Sequence, residues 1–454
     1  MKYMDNIVSL AKRRGFVYPA SDIYGGLANS WDYGPMGALM KENIKNEWIK
    51  EFVSSRDDMI LIDSAIIQNS SVWDASGHLE KFTDPMLECS KCHKRFRADN
   101  LIEDVLGIDV DGRTSLEIDT IIQDNNIKCP VCGGKLSEVK NFNLMFNTKL
   151  GPVDVSSDTV YLRPETCQGI FTNFDNILKS TRLHLPFGVA QIGKSFRNEI
   201  TPGNFIFRTL EFEQMEIEYF TKEENADENF NYWLDLFKKW YIKIGIKKEN
   251  LKEVELTKEQ RAHYSKRTVD LYFNFPFGFK ELQSFANRAD YDLKSHSEKS
   301  KKKLHYFDTD TNKNIVPFVI EPSVGLGRLF LALLSNGYRE EKVLNDTRVV
   351  LSLSSRIAPY QLAIFPLVSK DKDMKDISYN LYTDLRKDYR CSYDDIGAIG
   401  KRYRRQDEIG TPLCITVDND SLKDNAVTVR DRDTMEQKRV SIDNIRDYVD
   451  KCFL

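Results

Sequence analysis

Apolar residues recur along this chain with two distinct periods, and the switches between them mark out its elements. Met4 to Arg14 has helical spacing and stops at Gly15. A second helix opens near Pro35 and carries Met36, Met40, Ile44, Trp48 and Phe52 at intervals of four, with Leu39, Ile49 and Val53 alongside. That stripe is wide enough to pack on a core or on a partner subunit. From about 141 to 335 the pattern turns to short strand-like runs (TVYLRP, FGVAQIGKSFRNE, EFEQMEIEYF, TVDLYFNF, IVPFVIE), with helical spacing such as 224–243 between them. The alternation predicts an antiparallel sheet with attached helices, an α+β fold. From about Thr347, the strands VVLSL, LAIFPLV, LCITVD and AVTVRDR alternate with amphipathic helices at roughly 374–388, 395–407 and 441–452. This predicts a compact α/β unit with partly parallel pairing over 347–454, separate from a larger unit over 1–346.

Length supports the division, since 454 residues exceed one ordinary core. No run of 18 apolar residues occurs and the start lacks a signal-peptide h-region, so the expectation is an intracellular, cytoplasmic protein with no membrane partner. The net charge of -4 argues against a surface coated on nucleic acid, but leaves room for a local basic patch. With six histidines, none in a triad-like setting, a histidine base has few candidates. The KSKKK run at 299–303 reads as a solvated loop.

Residues 85–140 change character: two C-x-x-C pairs, Cys89 with Cys92 and Cys129 with Cys132, bracket a polar, acidic stretch. They read as a small inserted module. Four thiolates can close a tetrahedral zinc shell and stabilise a unit too small for its own core; a closed shell makes the metal structural. A metal-free vestige and a redox pair are the alternatives. Cys167, Cys391, Cys414 and Cys452 read as packing residues.

Two arginine-centred segments carry the chemistry. Arg197-Asn198-Glu199 is followed by a short loop and then Phe207-Arg208-Thr209-Leu210-Glu211-Phe212; far downstream, Gly325-Leu326-Gly327-Arg328 opens an apolar helix. A guanidinium is charged at any working pH, its fork fits phosphate oxygens, and its flat face stacks on a purine. The two segments resemble the second and third signature motifs of class II aminoacyl-tRNA synthetases. The finer wording is similar to the glycyl-tRNA synthetase family: RPET at 163–166, FRNE, FEQME at 212–216, KEL at 280–282, EPSVG at 321–325 and WDASGH at 73–78. The likeness runs from about residue 3 to the C-terminus and points to the dimeric, single-chain type.

The resemblance implies a six-stranded antiparallel catalytic sheet, a homodimer, and ATP with Mg2+ as the substrate complex. It implies that Arg197 grips the α-phosphate, that Phe212 and Arg328 sandwich the adenine with Glu199 and Arg208 nearby, and that Glu281, next to Leu282, helps hold magnesium. The nucleophile would be glycine's own carboxylate, so no enzyme base is required. Glycine offers an ammonium, a carboxylate and no Cβ; a selective pocket must supply acids and leave no room for a methyl, which removes any need for editing. Glu165, the run Phe212-Glu213-Gln214-Met215-Glu216 and the run Glu321-Pro322-Ser323-Val324-Gly325 fall in the segments that would line it, and Arg97 resembles a family substrate contact. Structural salt bridges are the plainer reading of any single one of these glutamates.

The 347–454 unit resembles the anticodon-binding domain shared by the glycyl, histidyl, prolyl and threonyl enzymes. Within it, Lys401, Arg402, Arg404 and Arg405 on a predicted helix are expected to contact tRNA(Gly). Two departures stand out: Leu210 lies where the family carries arginine, and the proline expected around Asn69–Ser71 is missing. The remaining alternatives are a prolyl-, threonyl- or histidyl-type synthetase, an inactive synthetase-like nucleic-acid-binding subunit, and a free-standing nucleotidyl transferase.

Overall fold

The structure is a computed structural model that describes residues 2–108, 110, 113–151, 158–199, 203–343 and 346–453. Its centre is a seven-stranded sheet. In spatial order the strands are Leu251–Glu255, Arg267–Phe275, Gly278–Ala289, Phe318–Gly325, Glu211–Thr221, Phe187–Phe196 and Met59–Leu61. The first six pair antiparallel, as expected; the seventh, Met59–Leu61, is a short edge strand added in parallel to Phe187–Phe196.

Both faces of this sheet are covered, so its strands follow a two-sided rule. In Glu211–Thr221, Met215, Ile217 and Tyr219 join the main core, which the helices Pro35–Ile49, Ala226–Lys243 and Leu326–Gly337 cover. Gln214, Glu216 and Glu218 alternate with them on the other face and are also buried. The stripe of Pro35–Ile49 faces this same core: Met40, Ile44 and Trp48, with Phe52 in the wider turn Lys50–Ser54 that continues the helix, are fully buried within the chain. Pro35 sits in the first turn, where its missing N–H costs nothing. Where the family proline was expected, Asn69 caps the helix Ser70–Ala75, its side chain accepting from the Ser71 amide at 2.9 Å.

The inserted module forms a three-stranded sheet of Thr83–Glu88, Arg95–Arg97 and Lys140–Asn143, with helices Ala98–Leu106 and Ser115–Asp124. It has a small core of its own, in which Leu101, Ile102, Ile118 and Ile122 pack around Cys89 and Cys129.

The C-terminal unit has a five-stranded sheet in the order Cys391–Tyr393, Leu362–Pro366, Leu413–Val417, Ala426–Asp431 and Gln437–Ser441. The first three strands are parallel and the rest antiparallel, matching the expected partly parallel pairing. The expected edge at 346/347 cuts a hairpin: Tyr338–Val343 pairs with Asp346–Leu351, and the sheet proper begins at Leu362. Arg348 explains why the hairpin holds together across that point. Fully buried, it joins Asp407 and Glu341, each at 2.8 Å.

Candidate active site

The polar face of the sheet opens into a cavity of about 340 Å³, walled by the ends of four central strands and by the start of the helix Leu326–Gly337. Its two ends differ in chemistry.

At one end stand the arginines. Arg197, at the end of Phe187–Phe196, donates from Nε to the Pro164 carbonyl at 3.2 Å, and its guanidinium lies 5.2 Å from the rings of both Phe82 and Phe212. Arg328, in the first turn of its helix, pairs with Glu281 at 2.7 Å and lies 4.6 Å from the Phe207 ring. Arg328 and Arg197 thus meet around one cavity, although 131 positions separate them in sequence (328 − 197). Arg208, Thr209, Gly325 and Gly327 complete this end. Glu199 keeps a buried Oε2 with no hydrogen-bond partner among the described residues, and Arg208 stands 3.8 Å from it. The loop residues 200–202 lie outside the described residues.

At the other end stand buried acids. Glu165 follows Arg163, whose guanidinium donates to the Lys194 carbonyl at 2.7 Å and the Ser64 carbonyl at 2.8 Å. The strand leaves room for this anchor at Gly193, where a Cβ would meet the Arg163 Nη2 at 2.1 Å. The Cys167 thiol and the Gln168 amide donate to Glu165, at 2.9 and 3.0 Å, and the His78 Nε2 stands 3.3 Å away. Burial acts to raise the Glu165 carboxyl, but His78 and Arg288 outweigh it and hold it well below the usual carboxylate range. Glu216 accepts from the Thr166 amide at 3.1 Å and from the Thr166 hydroxyl, and burial, then Glu165, push its carboxyl up. Glu321 accepts from Arg288 at 2.9 Å, yet burial still drives it well above its ordinary value. Arg288 also holds Asp292 through two bonds of 2.7 and 2.8 Å.

Alternation decides which expected residues reach the cavity. Glu165, Phe212, Gln214, Glu216, Glu321, Ser323 and Gly325 line it, as do Glu199, Phe207 and Glu281. Met215, Val324, Leu282 and Leu326 point into the core instead. Glu213 faces the helix Pro35–Ile49, where it pairs with Lys41 at 2.5 Å and Lys45 at 3.3 Å. Asn198, Leu210, Glu211 and Pro322 lie outside the lining, with Glu211 paired to Lys194. Arg97 also lies outside it, held on the module by Asp84 at 2.9 Å and Asp99 at 2.5 Å.

The structure adds residues the motifs did not indicate. Asp270 and Ser284, opposite one another on neighbouring strands, line the wall beside Glu281. Asp270 keeps one buried oxygen without a partner, and burial, then Glu281, push its carboxyl to about 7. Arg288 was invisible because it sits at a bulge between Asn287 and Ala289, which turns its side chain toward the acids. A signal for the others existed: polar residues at every second position of a strand buried on both sides must face a site.

The four cysteine ligand atoms lie within 4.8 Å of one another, with Cys89 to Cys132 at 3.5 Å and Cys92 to Cys129 at 3.7 Å. After each second cysteine the chain turns through positive φ, at His93 (55°) and Gly133 (67°). These residues could hold a metal ion. In the helix Ile399–Ile409 of the C-terminal unit the expected basic face is divided. Arg402 is only 1% exposed and donates to the carbonyls of Pro366 and Gly397 and to Ser369, so it is a structural group rather than an RNA contact. Arg405 is tied to Asp394 at 2.6 Å, Arg404 stands 4.0 Å from Asp407, and Lys401 is exposed.

Comparison with known proteins agrees with this layout. Residues 146–337 match the tRNA synthetase class II core domain of the G, H, P, S and T enzymes, and residues 361–451 match the anticodon binding domain. The chain is 51% identical to the glycine--tRNA ligase of Caldanaerobacter subterraneus subsp. tengcongensis, over 99% of this chain and 98% of that protein. It is 50% identical to that of Acetivibrio thermocellus, over 100% and 99%, and 49% identical to that of Bacillus anthracis, over 99% of each. A likeness of this depth, end to end, places the chain in the glycine--tRNA ligase family of class II aminoacyl-tRNA synthetases.

Proposed function

We propose that this protein activates glycine with ATP and transfers it to tRNA(Gly), releasing pyrophosphate and then AMP. The observation that carries the reading is the joining of two chemistries in one cavity: stacking guanidinium groups at one end and buried acids at the other. ATP fits the first end. Arg197 would hold the α-phosphate, Phe212 and Arg328 would bracket the adenine, and the unpartnered Glu199 oxygen would accept from a donor on the nucleotide. Phe207, Arg208 and Thr209 would border it.

Glycine fits the second. Glu165, Glu216 and Glu321 surround the place for an ammonium, with Ser323 beside it. One oxygen of glycine's carboxylate then attacks the α-phosphorus, the bond to the bridging oxygen breaks, and pyrophosphate leaves with that electron pair. Arg197 stabilises the charge that develops, with no proton to be removed first. Glu281 and Asp270 would hold Mg2+, which supplies charge neutralisation at the phosphates. The orphaned Asp270 oxygen suits that task.

The four cysteines fit zinc: a tetrahedral thiolate shell with bonds of about 2.3 Å sets its sulfurs about 3.8 Å apart, close to the separations observed here. We assign it a structural role in the module. Lys401, Arg404 and Arg405 would approach the tRNA backbone, a homodimer is the expected assembly, and the cytoplasm the expected compartment. Among the described residues, no helix is long and apolar enough to cross a membrane.

Full-length likeness to glycine enzymes favours this reading over a prolyl, threonyl or histidyl type, and the retained arginines favour it over an inactive subunit. The test is exchange of labelled pyrophosphate into ATP with each amino acid in turn. Exchange with glycine and not with alanine is expected; equal exchange with alanine would sink the assigned pocket.

A further inference from the structure

Below the acids that line the cavity lies one more. Glu218 follows Glu216 on the same face of the strand Glu211–Thr221, and the register pairing Glu216 with Ser323 and Tyr219 with Ile320 sets it opposite Glu321. It is fully buried, and neither carboxyl oxygen has a hydrogen-bond partner among the described residues. Ligand atoms of Glu216, Glu218, Glu321 and Cys167 all lie within 4.8 Å of one another.

The surroundings offer little positive charge. Glu216 faces Glu218 from its own strand, Glu321 from the neighbouring strand, Arg288 from the strand beyond that one, Asp292 from the helix Tyr291–Ser300, and Cys167 from the helix Cys167–Thr172. Arg288 is already bonded to Asp292 twice and to Glu321 once. The His78 Nε2 stands against Glu165, and burial lowers His296, whose Nε2 lies 2.8 Å from the Gln168 Oε1. Like charges directly across a ladder repel, and three carboxylates this close in a dry interior do not all ionise against one guanidinium whose three nitrogens already serve Asp292 and Glu321. Burial, then Glu321, drive Glu218 well above the carboxylate range.

We propose that the acid cluster of the free protein stores one proton between Glu218 and Glu321, and that glycine's ammonium displaces it to solvent on binding. This rests on the reading of the cavity as a glycine pocket. The exchange replaces one positive charge by another at the acid cluster: the ammonium enters, a proton leaves a carboxyl oxygen for water, and glycine's carboxylate, whose charge the exchange does not balance, lies toward the arginines. Glu218 is then a positioning residue that acts through Glu321 rather than by touching substrate. The sign follows. Where the cluster is protonated, releasing one proton makes glycine bind about tenfold more tightly for each unit of rising pH. The gain levels off once pH passes the raised value of the pair.

The experiment measures KM for glycine and for ATP by pyrophosphate exchange, from about pH 6 to about pH 8. In the unmodified protein the glycine KM should fall by up to about tenfold per unit while the ATP KM does not follow. Glu218→Gln, which keeps the shape without the titrating proton, should give a flat glycine profile. Calorimetry of glycine binding to the unmodified protein, in two buffers of different ionisation enthalpy, should count about one proton released per site. That measurement decides the matter if the variant fails to fold. A flat wild-type profile, a slope retained in Glu218→Gln, or a proton count of zero overturns the proposal while leaving glycine activation standing. Absence of glycine binding at every pH overturns the glycine pocket itself, and this proposal with it.

Discussion

The two ends of the cavity hold arginines in opposite ways. Arg288, at the end proposed for glycine, is 1% exposed and bonded to two carboxylates through its whole fork. Arg197, at the nucleotide end, is half-buried, donates one hydrogen bond to a carbonyl, and otherwise rests against two rings. Arg328 is intermediate, with one carboxylate and one ring. The glycine end is therefore built before substrate arrives, with its polar groups mostly satisfied within the fold. The proposed nucleotide end would keep the charge of Arg197 available for phosphate. That difference predicts which substitutions cost stability and which cost only rate.

The largest effect belongs to Arg288. Replacing it by Met keeps the length of the side chain but strands Asp292 and Glu321 in a dry interior beside Glu216 and Glu218. Losing one partner of a buried ion pair costs about 3–5 kcal/mol. Urea unfolding should show that loss, and glycine-dependent exchange should vanish. A variant as stable as the parent would erase the distinction between the two ends.

Arg197→Ala should behave in the other way. Removing a donor aimed at developing charge costs about 10²–10³ in rate, while the free energy of unfolding should stay within about 0.5 kcal/mol of the parent, as for a surface change. Exchange kinetics beside urea unfolding check both halves. Undiminished exchange would refute the assigned role, and a large loss of stability would show that Arg197 holds the fold together just as Arg288 does.

How far could the chain be read without coordinates? The cysteine quartet was legible from residue type and spacing alone, whereas both motif arginines and the acids Glu165, Glu216 and Glu321 were legible through the motif segments that resemble the family. The six antiparallel strands were legible from alternation and resemblance. Sequence runs could not say which alternate residues face the cavity: Glu213 and Glu216 read alike, yet one pairs with lysines on the helix side and the other enters the pocket. Asp270 announced itself only through its alternation with Thr268 in a strand outside the motifs, Arg288 depended on a bulge, and Met59–Leu61 is too short to announce itself. Arg402 was misread because a basic run does not reveal that one member turns inward onto backbone carbonyls.

Arg328→Ala sharpens the intermediate case. The variant loses the pairing with Glu281 and the face against Phe207, both partly exposed, so its effect on stability should be small. If the face stacks on adenine, KM for ATP should rise about tenfold, in the range of about 1–2 kcal/mol for a desolvated cation–π contact, with KM for glycine unchanged. A rise in the glycine KM instead would mean that the two ends are not separable.

The smallest effect tests whether the same distinction, between tied and available guanidinium groups, holds on the anticodon-type domain. Arg404 has one distant contact, Asp407 at 4.0 Å, and its side chain is 32% exposed. It resembles Arg197 in being free to meet phosphate, whereas Arg402, on the buried side of the same helix, resembles Arg288. Arg404→Ala should therefore leave pyrophosphate exchange untouched and raise KM for tRNA a few-fold. A lost phosphate contact should also flatten the salt dependence of tRNA binding by about one unit of slope, which a change in folding would not do. Filter binding of tRNA(Gly) across a salt series reads that slope directly. An unchanged slope would remove Arg404 from the RNA surface and leave Lys401 and Arg405 to account for it, the latter only by giving up Asp394.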